Sequence, residues 1–137
     1  NSAIRAGMTK IGSPYVWAAA GPSSFDCSGF TQWAYGQAGV SLPHFSGAQY
    51  AMTTRIAASQ LQPGDLVFWG GGGSAHVAIY IGSDQILHAF GPGVAVTELE
   101  GWSSCWRRWS RWPVVDRPRS PRPRRLRPVE ARPPFLR

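Results

Sequence analysis

Hydrophobic positions recur at helical spacing in the first half of the chain and at a spacing of two in the second. Ile4, Met8 and Ile11 fit one helix face, which predicts a short helix over 2–11 ended by Gly12 and Pro14. An irregular lead-in follows, Tyr15-Val16-Trp17 and then small residues to Gly21-Pro22. Phe30, Trp33, Ala34 and Ala38 predict a second helix over 26–38, with Gly39 suited to cap its C-terminus. Ser41-Leu42-Pro43 makes a break, and 46–52 reads as a third short helix. From Leu61 alternation takes over. Gln62-Pro63-Gly64-Asp65 is turn chemistry leading into the buried-strand run Leu66-Val67-Phe68-Trp69, and glycines 70–73 read as a flexible connection. Residues 76–81 and 86–90 predict a hairpin, 94–98 a further strand, and 112–115 a last one, at a sheet edge because of Pro113. Helices first and strands afterwards predict an α+β fold, N-terminal helices packed on a small antiparallel sheet.

Charge changes the picture only when divided along the chain. The 137 residues carry +7 overall. Residues 1–106 hold three cations against five carboxylates, a net −2, and the remaining residues hold eleven arginines against two carboxylates, a net +9. The globular part is therefore mildly acidic, and the basic character belongs to the tail. Past Asp116 there is almost nothing but Arg and Pro, too little apolar area to offset ordering entropy. The expected organisation is one domain over 1–115 and a disordered tail over 116–137. No apolar run approaches the roughly 18 to 20 residues that span a bilayer. The chain opens at Asn1 with no signal-like segment, as a processed or trimmed fragment would.

The chemistry concentrates at Cys27, in Phe25-Asp26-Cys27-Ser28-Gly29-Phe30, at the expected start of the second helix. A buried cysteine is commonly a small core residue. Here the polar and minimal flanks suit exposure, the helix dipole favours thiolate, and the Cys27 and Ser28 amides can hold an oxyanion. His76 and His88 lie on the two hairpin strands. A three-residue loop, Gly82-Ser83-Asp84, sets His88 opposite Ala78 and diagonal to His76 on one face; a four-residue loop would separate them. Gly and Asp suit the odd, bulged loop. The expected task is acyl transfer: Cys27 as nucleophile, His76 as base, and His88 fixing the His76 tautomer and favouring its imidazolium. A zinc site from the same three residues is the rival, but it lacks close-spaced ligand pairs and a carboxylate. A Cys27–Cys105 disulfide would consume the nucleophile. Nothing in the sequence calls for a cofactor or a dimer, so a monomer without cofactor or metal is expected.

The runs PYVW, FDCSGF, LPHFSGAQY, LQPGDLVFW, HVAIYIG and ILHAF, in this order over residues 3–99, resemble the NlpC/p60 family of cell-wall peptidases, especially actinobacterial members. The resemblance implies a papain-like α+β fold. It implies a secreted D,L-endopeptidase, in the cell wall or periplasm, cutting γ-D-glutamyl–diaminopimelate bonds of peptidoglycan stem peptides in wall remodelling, daughter-cell separation or lysis. By position, Cys27 matches the family nucleophile, His76 its base and His88 its third polar residue. Tyr15, Asp26 and Ser28 fall where the family shapes the stem-peptide pocket, and Ser46 lies in another segment lining that groove. Read by themselves, these four are a packing tyrosine, a helix cap and turn residues. Two departures stand out: Ala18-Ala19-Ala20 replaces the glycines usual after the YVW run, and the region after Glu100 resembles the family poorly.

Three other functions use the same residues differently. A module of this fold could hold stem peptides without cutting them, although it would have no need of Cys27, His76 and His88 together. A related thiol enzyme could act on another amide or acyl bond. The arginine tail could bind polyanions with salt-dependent affinity, yet the acidic domain gives no expectation of a nucleic-acid partner.

Overall fold

The computed structural model describes residues 1–104 and 114–118, the last five by their backbone. Four helices, α1 (Ser2–Met8), α2 (Cys27–Gln37), α3 (Ser46–Met52) and α4 (Leu99–Ser104), accompany six strands. The strands are β1 (Thr53–Arg55), β2 (Leu66–Trp69), β3 (His76–Gly82), β4 (Gln85–Phe90), β5 (Gly93–Glu98) and β6 (Val114–Pro118). They form one antiparallel sheet in the order β1-β6-β2-β3-β4-β5. This is the α+β, papain-like arrangement expected from the sequence.

The α2 helix begins where its cap dictates. Asp26 has extended backbone, and its side chain accepts the Gly29 N–H, satisfying one donor of the first turn. At the other end Gly39 takes a φ of +85°, which glycine adopts without strain. Phe30, Ala34 and Tyr35 of α2 pack with Phe25 against Leu66, Phe68, Val77, Ile79, Leu87 and Ala89 on one sheet face. Each large side chain so buried contributes roughly 1.5–3 kcal/mol. Ile56, Val67, Trp69, Ala78 and Ile86 form the core of the opposite face, under Leu61, Leu99 and Trp102.

Several expectations need correction. Helix α1 stops at Met8, and Met8 and Ile11 are exposed; the inward face is Ala3 and Gly7. The helix packs so closely that a Cβ on Gly7 would meet Phe30 at 2.8 Å and Leu87 at 2.9 Å. Glycines 71–73 form a 3₁₀ turn, not a loose connection. The last strand is β6, running to Pro118, and it lies between β1 and β2 instead of at an edge. The edge belongs to β1, which the sequence reading did not find. The tail expected from 116 therefore gives its first three residues to β6; 119–137, like Pro113 and Cys105, lie outside the described residues.

The hairpin reaches the expected parity by a different turn. Gly82 pairs with Gln85 across the two residues Ser83 and Asp84, both with positive φ, and a bulge lies between Tyr80 and Gly82. Bulge and two-residue turn together restore the Ile79–Leu87 register. One residue further, His88 faces Ala78, and His76 is its diagonal neighbour. Among the described residues no helix is long and apolar enough to cross a membrane.

Candidate active site

Cys27 is the first residue of α2, half-buried, with a free thiol. It lines a cleft of about 500 Å³ together with Tyr15, Asp26, Ser28 and Ser46. All four residues expected to shape a pocket thus face one cavity with the thiol. Backbone hydrogen bonds from Val77, Ser28 and Cys27 act on the sulfur, so it sits beside the first residues of β3. Burial and the neighbouring Asp26 carboxylate outweigh these donors and raise the thiol's pKa. The helix dipole alone had predicted the opposite. Tyr15 belongs to the same electrostatic cluster: burial, then Cys27 and Asp26, raise its phenol.

His76 and His88 meet as the register requires. His76 Nε2 lies 2.8 Å from His88 Nδ1, and His88 Nε2 lies 2.9 Å from Thr97 Oγ1. These contacts occupy both ring nitrogens of His88 and the Nε2 of His76. Both rings are buried. Phe90 stacks on His88 with ring centroids 4.5 Å apart, and Trp102 stands edge-on to His88 at 4.5 Å and tilted toward His76 at 5.0 Å. Burial pushes His88 down to about 3, and burial followed by His88 holds His76 well below the ordinary imidazole value. The expectation that His88 favours an imidazolium is thus corrected: the resting pair is neutral beside a neutral thiol.

This neutrality makes stability depend on acid. Unfolded histidine titrates near 6.5, whereas folded His88 does so at about 3. Between these values the unfolded chain binds more protons, so stability rises with pH there and is fully present above the unfolded value. The expected result is a melting temperature that falls as pH drops from 6.5 toward 4, with a loss on the order of a few kcal/mol. His88→Gln should flatten that slope in a thermal-melt series.

Asp26 organises the cleft floor. Its Oδ1 accepts the Gly29 N–H at 2.6 Å, its Oδ2 accepts the Ala18 N–H at 2.9 Å, and His44 Nε2 lies 3.1 Å from Oδ1. It is a helix cap and a cleft residue at once. Ala18 holds a left-handed φ of +67°, a conformation costing a non-glycine residue roughly 1–2 kcal/mol. Ala18 thus adopts a conformation that glycine would take more cheaply. Sequence reasoning missed His44, which the LPHFSG run displays, and the exposed Trp17 and Phe45, which also line the cleft. It missed Thr97 and Trp102 because only strand pairing and helix docking bring them to the imidazoles.

Residues 12–111 match the NlpC/P60 family. The chain is 51% identical over 102 residues to the probable endopeptidase p60 of Listeria grayi, covering 73% of this chain and 20% of that one. It is 43% identical over 106 residues to the peptidoglycan endopeptidase RipA of Mycobacterium tuberculosis, covering 68% and 22%. It spans about a fifth of the length of these relatives. Among solved structures, the P60 domain of M. avium subspecies paratuberculosis antigen MAP1204 superposes with a TM-score of 0.74 at 32% identity, covering 85% of this chain and 91% of that one. RipD of M. tuberculosis, a non-catalytic NlpC/p60 domain protein adapted to peptidoglycan binding, gives 0.72 at 29% identity, covering 85% and 94%. This chain belongs to the NlpC/P60 family, whose members include peptidoglycan hydrolases and non-catalytic peptidoglycan binders.

Proposed function

We propose that this chain is a cysteine peptidase, secreted to the cell wall or periplasm, that hydrolyses the γ-D-glutamyl–diaminopimelate bond of peptidoglycan stem peptides. The observation that carries the reading is the thiol at a helix start, facing a cleft and near Val77 of the strand that begins with His76, whose ring meets His88 of the next strand. The sulfur attacks the scissile carbonyl as His76 Nδ1 takes its proton. Amides at the α2 start receive the developing oxyanion. His76 then hands the proton to the departing amine, leaving a thioester on Cys27. Water, deprotonated by His76, attacks that thioester, releasing the carboxylic acid and restoring the thiol.

Tyr15, Asp26, Ser28 and Ser46 hold the stem peptide, and the exposed aromatic rings of Trp17 and Phe45 flank it. Tyr15→Phe is expected to raise KM about three- to tenfold with little change in kcat, as loss of one hydrogen bond to a bound ligand does. Steady-state kinetics on purified muropeptides checks this. The competing reading is a module that holds stem peptides without cutting them; RipD, a non-catalytic peptidoglycan-binding protein, shares the fold. Digesting muropeptides with wild type and Cys27→Ala separates the two, since only the enzyme yields cleavage that the substitution abolishes. Mass analysis of the same digest identifies the bond cut.

A further inference from the structure

We propose that Thr97 is a positioning residue that sets the proton arrangement of the His76–His88 pair through the hydroxyl it presents to His88. This rests on the peptidase reading for its consequence, but its geometry stands on the hydrogen bonds alone. Two neutral imidazoles joined Nε2 to Nδ1 share that contact in one of two ways. In the first, His76 Nε2–H donates to His88 Nδ1, so His88 carries its proton on Nε2 and donates to Thr97 Oγ1. His76 Nδ1 is then a bare lone pair. In the second, Thr97 O–H donates to His88 Nε2, His88 Nδ1–H donates to His76 Nε2, and His76 carries its proton on Nδ1. Only the first lets His76 act as base toward the thiol.

The surroundings favour the first. On the peptidase reading the Cys27 proton passes to His76, and only the first arrangement leaves Nδ1 without a hydrogen of its own to take it. His76 can then accept the thiol proton without any other proton moving. At the far end His88 is fully buried, and Phe90 and Trp102 pack its ring on two sides. Thr97 Oγ1 is the partner within reach of Nε2 at 2.9 Å. Thr97 is only half-buried, so its own hydroxyl hydrogen can turn to solvent while the oxygen accepts. Strand pairing fixes this placement: His88 faces Ala95 on β5, and Thr97 is the next residue of β5 on the same face.

The test uses the full chain with 15N-labelled histidine, which has three histidine signals to assign. Long-range 1H–15N spectra at pH 7 report the tautomer of each ring, and iodoacetamide alkylation reports the reactivity of Cys27 without any substrate. Wild type and Thr97→Ser should carry the His76 and His88 protons on Nε2. Thr97→Val should shift His88 toward Nδ1–H and slow alkylation about tenfold, a part of the roughly 10²- to 10⁴-fold that a positioned base supplies. Its kcat on muropeptides should fall alike with KM unchanged, and Thr97→Ser should restore both rates. A wild-type His88 protonated on Nδ1, or a Thr97→Val protein keeping wild-type tautomers and alkylation rate, would overturn the proposal. If Thr97→Val does not fold, the wild-type and Thr97→Ser spectra still decide. Expected tautomers with no Cys27-dependent muropeptide cleavage would refute the peptidase reading and leave the role of Thr97 standing.

Discussion

Cys27→Ala is expected to abolish muropeptide cleavage, with a loss of at least about 10³-fold, because the covalent step has no substitute nucleophile. The change should leave fold and binding intact. Cys27 is half-buried at a helix start, and alanine is the better helix former. The melting temperature should therefore hold, and the inactive protein should still retain stem peptide in the cleft. Equilibrium binding by calorimetry and product analysis by mass spectrometry read the two properties separately. Binding without cleavage assigns Cys27 to the chemistry. Cleavage at the wild-type rate would show that the thiol is a bystander.

Gly29→Ala should be the most destabilising small change near the site. Helix propensity alone expects a gain of about 1 kcal/mol, since glycine in a helix is costly. Packing expects the reverse. A Cβ on Gly29 would collide with the Ala19 carbonyl oxygen, and it would also crowd Asp26 Oδ1 at 2.8 Å. That carbonyl is fixed backbone, which accepts the Asp26 N–H at 2.8 Å. Relief requires moving the 18–20 turn, whose Ala18 lines the cleft and donates to Asp26. The cost should be about 3 kcal/mol, the upper part of the overpacking range, lowering the melting temperature by roughly 10 °C or more for a domain of this size. Gly36→Ala is the internal control. Gly36 lies in the same helix with open space around its would-be Cβ, so that variant should gain up to about 1 kcal/mol. Two glycine-to-alanine changes in one helix, with opposite signs, separate packing from propensity.

Local signals were legible where one element decides its own fate. The bounds of α3 and β2 followed from a break and a turn, and the Asp26 cap marked the start of α2 within one residue. The parity of His76 and His88 was readable because side chains alternate along strands, even though a bulge and a two-residue turn deliver it. What sequence could not show was non-local. Thr53–Arg55 is too short to display a period and becomes a strand only by pairing with β6. Helix α1 turns Gly7 inward because close approach to Phe30 outranks the hydrophobicity of Met8. The thiol's raised pKa is likewise a tertiary outcome. A helix start predicts thiolate, but burial and an adjacent carboxylate prevail. The imidazoles follow the same rule, since Trp102 and Phe90 enclose them from elements that pairing and docking bring near.

The central claim is that a sulfur and two imidazoles, remote in sequence, work as one centre. Treating wild type and His76→Ala with iodoacetamide at pH 7, and mapping the modified residue by peptide mass, tests it most directly. The account predicts labelling at Cys27 that is at least about tenfold slower in the variant, since a positioned base supplies roughly 10²- to 10⁴-fold. Equal labelling rates at Cys27 in the two proteins would contradict it.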